Sequence, residues 1–264
     1  MQLSSITKGV THRPPIIGVS GPPGIGKTTF AASAPSPIIL PTEDGSNELD
    51  VARFPLAKSY SDILAAIKEL GTQPHEFKTL VLDSLDHAEP LVWAHTCEEG
   101  GKKTIEAFGY GKGYVEAVYH WRVIFDGLKK LREKRGMGII LISHVQVKKF
   151  EDPGSDGYDR FVPKLHKEAA NLAIEECDAW GFANYETKVI DTNKEERKRA
   201  VGQGNRIIWW SERPSHLAKN RYNLPDSMPL EWATFAAALK ELRTKTTPTD
   251  SAMLNVETNP APRE

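Results

Sequence analysis

Short apolar runs alternate with longer mixed stretches along most of the chain. Ile16–Ser20 (IIGVS), Pro37–Leu40, Thr79–Leu82 and Gly138–Ile142 (GIILI) are continuous rather than alternating, the pattern of strands buried on both faces. Trp180–Ile190 and Arg206–Trp210 read as further strands. Between them lie helix signals. KTTFAASA is a short helix. SYSDILAAIKELG carries Ser59 and Asp62 at a capping-box spacing, with Ile63, Leu64, Ile67 and Leu70 on one face and Gly71 at its end. From Tyr114 to Arg135, Val118, Trp121, Phe125, Leu128 and Leu131 recur at helical spacing, a core-facing stripe. Strand–helix alternation of this kind predicts a single α/β domain with a mostly parallel sheet flanked by helices. Its limits are set by composition. Residues 1–13 are polar and end at Pro14-Pro15, which predicts a flexible arm. Residues 244–264 have almost nothing to bury, which predicts a disordered tail. The domain is therefore expected over 14–243.

Composition narrows the partners. The chain has 264 residues, 39% hydrophobic and 26% charged, and its 34 basic and 35 acidic residues nearly cancel. Any nucleic-acid binding must come from local patches, because the net field does not attract a polyanion. The two cysteines, Cys97 and Cys177, stand far apart and make no metal-ligand spacing, which fits idle thiols in a reducing compartment. No apolar stretch is long enough to span a membrane, and the N-terminus lacks a signal core. A cytoplasmic protein is expected.

The chemistry concentrates first at Gly21-Pro22-Pro23-Gly24-Ile25-Gly26-Lys27-Thr28-Thr29, which contains G-x-x-x-x-G-K-[ST] between an apolar strand and a helix former. Such a loop closes backbone N–H groups around phosphate oxygens, with Lys27 neutralising the outer phosphates and Thr28 offering a hydroxyl to Mg2+. ATP and Mg2+ are the expected cofactors. Asp83, at the end of the strand TLVLD, completes the metal site opposite Thr28. The position after it, where many ATPases carry a water-activating glutamate, is Ser84. A glutamate does lie just past the preceding strand, in PIILPTEDG: Glu43, on the rim where open α/β sheets bind ligands.

That placement resembles the RecA-type ATPase core, in which the catalytic glutamate follows the second strand. Two further stretches carry the resemblance. Ser143-His144-Val145-Gln146 ends the GIILI strand, where RecA-type proteins keep a polar γ-phosphate sensor, and His144 matches that position. LAKNRYNLP resembles the K-N-R segment of RadA-like proteins and the K-x-R of hexameric RecA-type helicases, so Lys219 and Arg221 are implied to reach the ATP of a neighbouring subunit. The resemblance covers roughly residues 15–240. Within RecA-type ATPases it is nearest to phage-encoded ATP-binding proteins of the Sak recombinase and single-strand annealing group. It implies ATP hydrolysis, single-stranded DNA as partner, a single-strand-binding protein as a further one, and a homo-oligomer with ATP sites between subunits. A AAA+-like motor or loader acting on a protein, or a non-enzymatic nucleotide switch, is the alternative.

RecA-type cores touch single-stranded DNA through loops after the metal-site strand and after the sensor strand. GGKKTIEAFGYGKGY offers Lys102, Lys103 and Lys112 beside Phe108 and Tyr110, cations and stacking surfaces on a glycine-rich segment. VKKFEDPGSDGYDRFVPKLHK offers Lys148, Lys149, Arg160, Phe161 and Lys164, against several acidic residues, and reads as a turn-rich loop.

Overall fold

Each apolar run forms a buried strand, and the pleat sorts its side chains into two layers. Ile16, Ile38, Leu40, Leu80, Leu82, Ile139 and Leu141 face one core cluster. Ile17, Val19, Ile39, Val81, Ile140 and Ile142 face the other. Burial on both faces explains why these runs are continuous. The computed structural model describes residues 2–6, 8–45, 48–151, 156–190 and 199–246. Most of the predicted tail, from 247 onward, lies outside the described residues.

In chain order the first half holds β1 (Ile16–Ser20), α1 (Lys27–Ala32), β2 (Pro37–Pro41), β3 (Ala52–Arg53), α2 (Tyr60–Thr72), β4 (Thr79–Asp83), α3 (Leu85–Glu99) and α4 (Lys112–Arg135). The second half holds β5 (Gly138–Ser143), β6 (Val145–Phe150), β7 (Tyr158–Pro163), α5 (Lys167–Glu176), β8 (Ala179–Ile190), β9 (Arg199–Trp209), β10 (Lys219–Asn220), β11 (Ser227–Pro229) and α6 (Trp232–Thr246). One nine-stranded sheet runs β11-β9-β8-β1-β5-β4-β2-β3, with β10 paired to β8. From β8 to β3 the pairings are parallel. The strands beyond β8 are antiparallel. The fold is the single-domain, mostly parallel sheet flanked by helices expected from the alternation, with the P-loop strand β1 and the metal-site strand β4 separated by β5.

Helices α2 to α5 cover one face of the sheet and α1 with α6 the other. Close approach fixes one residue in β1. A Cβ on Gly18 would stand 2.0 Å from Cε3 of the buried Trp180 on β8, so only glycine fits. The opposite end of β1 is tied by Asp178, whose Oδ2 accepts from Ile16 N (3.0 Å), Arg132 Nη1 (3.1 Å) and the Tyr222 hydroxyl (2.9 Å). The chain just before β1 has contacts of its own: Arg243 Nη2 donates to Arg13 O at 2.5 Å.

Three helices were not visible in the periodicity: α3, α5 and α6. The segment read as a turn-rich loop after the sensor strand is instead mostly a hairpin, β6 pairing antiparallel with β7 from Val145–Pro163 to Phe150–Tyr158. Only isolated positions of β7 are buried, so no continuous apolar run marks the stretch. Among the described residues no helix is long and apolar enough to cross a membrane.

Candidate functional site

Register brings the chemistry to one end of the sheet. Ser20 lies beside Ser143, Asp83 beside Ile142, and Pro41 beside Asp83, so the P-loop, Glu43, Asp83 and His144 all leave the C-terminal ends of adjacent parallel strands. Gly24 (φ 73°) and Gly26 (φ 105°) hold left-handed backbone in the loop, which is why glycine stands there. Lys27 is buried, and its Nζ donates to Gly21 O and Pro22 O, both at 3.0 Å. Burial lowers its pKa, against the raising charges of Asp83, Asp86 and Glu43. Thr28 Oγ1 donates to Asp83 Oδ2 at 2.8 Å. Asp83 is raised by burial and by Glu43, with the Thr28 hydrogen bond opposing. A buried carboxylate and a hydroxyl so paired are a hard-oxygen donor set, which suits Mg2+. A lysine folded back onto loop carbonyls keeps a cation beside the cradle that a triphosphate would fill.

Ser84 is not a substitute base. It is fully buried, and Thr42 grips its backbone: the Thr42 hydroxyl donates to Ser84 O at 2.6 Å and accepts from Ser84 N at 2.8 Å. Glu43 has a quarter of its side chain exposed, and its Oε2 meets His87 Nδ1 at 3.1 Å. The same His87 Nδ1 lies 2.9 Å from Ser84 Oγ and 3.4 Å from Asp86 Oδ2. Asp86 then binds His144 twice, accepting from its backbone N at Oδ1 (2.9 Å) and meeting its Nδ1 at Oδ2 (2.9 Å). Burial alone would raise Asp86, but the His144 and Ser84 hydrogen bonds outweigh it and hold the carboxyl at about 2. Glu43, His87, Asp86 and His144 thus form one contact chain from the end of β2 to the end of β5.

The remaining expected site residues are scattered. β10 pairs with the first residues of β8, Lys219 opposite Trp180, so Lys219 and Arg221 sit at the end of the sheet away from this chain's own P-loop. Lys219 Nζ is engaged there, donating to Ile174 O (2.7 Å) and Glu175 O (2.9 Å) at the C-terminus of α5. Arg221 lines a cleft with Arg13, Asp178 and Tyr222. Among the DNA candidates, Lys102, Lys103, Lys112, Lys148, Lys149 and Lys164 are exposed. Tyr110 is wholly so, at a left-handed φ of 49°. Phe108 instead packs into the notch left by Gly100 and Gly113. Arg160 is buried and bound to Glu212, and Phe161 stacks on Phe182 at 5.2 Å. On opposite faces of β7, Arg160 meets Glu212, Arg213 and His216 while Phe161 lies on Phe182, so both are packing residues of the hairpin.

Four residues with evident parts in the site escaped the sequence reading. Asp86 and His87 look like the first turn of an ordinary helix, and Thr42 like a turn residue. Arg206 on β9 leans over the P-loop, with its Nη1 3.0 Å from where a Gly26 Cβ would stand. The D-S-L-D-H run after β4 was the available signal for the first two.

A buried lysine in a glycine loop, facing a hydroxyl–carboxylate pair at the C-terminal ends of parallel strands, is the phosphate site of a P-loop nucleoside triphosphatase. The chain belongs to the AAA domain family, whose model matches residues 13–222, and is thus an ATPase of that family. Among solved structures it is similar to the crystal structure of the RadB recombinase, at 14% identity over 75% of this chain and 80% of that one, with a TM-score of 0.44. No curated protein matches it.

Proposed function

We propose that the protein hydrolyses Mg-ATP with Glu43 as general base and couples that cycle to single-stranded DNA, in phage-type recombination or annealing. One observation carries the reading: the contact chain Glu43–His87–Asp86–His144 joins the end of β2 to the residue from which the β6–β7 hairpin departs. Mg2+ held by Thr28 and Asp83 would supply charge neutralisation at the phosphates. Lys27 adds a fixed cation on the loop side. Glu43 takes the proton of the attacking water on its carboxylate, an arrangement typically worth about 10²–10⁴-fold in rate. His87 orients that carboxylate through Oε2. Arg206 stands over Gly26, in position to meet charge developing on the phosphate. A change in how Glu43 pairs with His87 passes through Asp86 to His144 and hence to Val145, the first residue of the hairpin with Lys148 and Lys149.

Lys219 and Arg221 lie too far down the sheet to serve their own site, which agrees with action on a neighbour's nucleotide in a homo-oligomer. The AAA+-loader alternative calls for a helical lid beyond the sheet. The helix present there, α6, packs Phe235 and Leu239 into the core under α1 instead.

The test is ATP turnover of the wild type and of Lys27→Ala and Glu43→Gln, each alone, with single-stranded DNA and with duplex. Lys27→Ala is expected to lose ATP binding, and Glu43→Gln to keep binding and lose turnover. Single strands should stimulate the wild type more than duplex does. Normal turnover in Glu43→Gln would refute the assignment of the base; indifference to single strands would refute the DNA coupling.

A further inference from the structure

A second cluster of metal-ligating side chains lies well away from the P-loop, on the helical face. His95 and Glu99 stand one turn apart on α3, and His120 faces them from α4. His95 Nε2 lies 3.3 Å from Glu99 Oε1, and His120 Nε2 lies 3.5 Å from Glu99 Oε2. All three ligand atoms fall within 4.8 Å of one another. Two ligands bound to one tetrahedral zinc at about 2.0–2.1 Å are separated by roughly 3.4 Å. Each imidazole nitrogen therefore stands from a Glu99 oxygen at about the spacing that a shared ion imposes, which is long for a good hydrogen bond, and small side-chain rotations would bring all three to one ion.

The rings are also preset. Tyr60 on α2 stacks on His95 (centroids 4.3 Å, 16°) and meets His120 edge-on (5.4 Å, 74°). Its hydroxyl donates to His120 O at 3.2 Å. Outer groups that fix ring orientation in this way are a regular part of metal sites. His120 is buried, His95 half-buried and Glu99 exposed, so the cluster opens to solvent on one side and leaves room for water as a fourth ligand.

We propose that His95, Glu99 and His120 form a binding site for a zinc-class divalent ion that staples α3 to α4. Two imidazoles and one carboxylate select a late first-row ion over Mg2+ or Ca2+, which require mostly oxygen. Glu99 is the last residue of α3, directly before Gly100-Gly101-Lys102-Lys103, and α4 begins at Lys112. The ion would thus clamp the base of the lysine-bearing segment between these helices. It stands apart from the catalytic Mg2+ site and does not depend on the ATPase assignment.

The experiment is titration of chelator-treated protein with Co2+ in a Mg2+-saturated buffer, followed by displacement with Zn2+. Wild type is expected to develop the visible bands of four-coordinate cobalt, saturating at one equivalent and bleached by Zn2+. Glu99→Gln and His95→Gln should weaken that binding by more than the roughly 10–100-fold that loss of an outer-shell partner costs. Glu99 is exposed, so its replacement does not threaten the fold. His87→Ala should keep the spectrum, since the other histidine cluster, Glu43–His87–His144, is separate. Absence of the bands in wild type overturns the proposal, as does their survival in Glu99→Gln with loss in His87→Ala.

Discussion

Glu89 offers a sharp test of what burying a carboxyl on α3 costs the fold. It lies one turn beyond Asp86 on α3, is buried, and accepts from His166 N at both oxygens (3.0 and 3.1 Å). Burial pushes its carboxyl up from 4.5 to about 7; Asp86 adds to the rise, while the His166 hydrogen bond and Lys148 oppose it. A carboxyl raised in the folded state binds more protons there than in the unfolded chain. Stability is therefore highest below the unfolded value and falls as pH rises from about 4.5 to 7. At 1.36 kcal/mol per unit, the ionised form costs the fold about 3 kcal/mol above pH 7. Glu89→Gln imitates the protonated form and retains one acceptor for His166 N. It should change little at pH 5 and stabilise by about 1–3 kcal/mol at pH 8, or about 2–12 °C in Tm for a domain of this size. Urea denaturation of both proteins at the two pH values measures this. Equal destabilisation at pH 5 and pH 8 would show that the carboxylate's charge is not what the fold resists, and the burial argument would fail.

Other consequences can be checked at the site and its surroundings. Arg206→Ala should leave ATP affinity nearly intact and slow turnover by roughly 10³-fold, the lower end for arginine fingers, in single-turnover kinetics. Replacing Lys102, Lys103 and Lys112 should lower the slope of log K against log salt for single-stranded DNA by about 0.7 per lost phosphate contact. Tyr110→Ala should instead weaken binding by about 1–3 kcal/mol with the slope unchanged, because stacking releases no counterions. Arg221→Ala should bind ATP and lose turnover, and mixing it with Glu43→Gln should regain part of the activity through interfaces that pair an intact Glu43 with an intact Arg221. Full activity of Arg221→Ala alone would make each subunit self-sufficient.

What could be read from the sequence was chemistry bound to local backbone. The P-loop needs left-handed glycines at Gly24 and Gly26 and a lysine one residue later, so its pattern survives in linear order. Strands β1, β2, β4 and β5 were legible because burial on both faces leaves unbroken apolar runs. Helix α3 was not, since its buried side includes Glu89 and Thr96 and its length includes Pro90, which break the stripe that periodicity detects. Strand β6 was missed for the opposite reason: Val147 to Phe150 are all exposed, so no alternation marks them.

The contacts between distant segments follow a different logic. His144 meets Asp86 across 58 residues, and Arg206 reaches Gly26 from the far side of β8. Neither spacing means anything until the sheet order places β5 beside β4 and β9 outside β8. A motif therefore finds the loop that cradles phosphate, whose geometry is local. It does not find the chain of carboxylates and imidazoles that would carry the nucleotide's state elsewhere, because that chain exists only in the register of neighbouring strands. Asp86 makes the point most sharply. In sequence it is one more acid at the start of a helix, favourable there in any protein. In the fold, burial and two bonds from His144 turn it into the fixed anion on which both His87 and His144 depend.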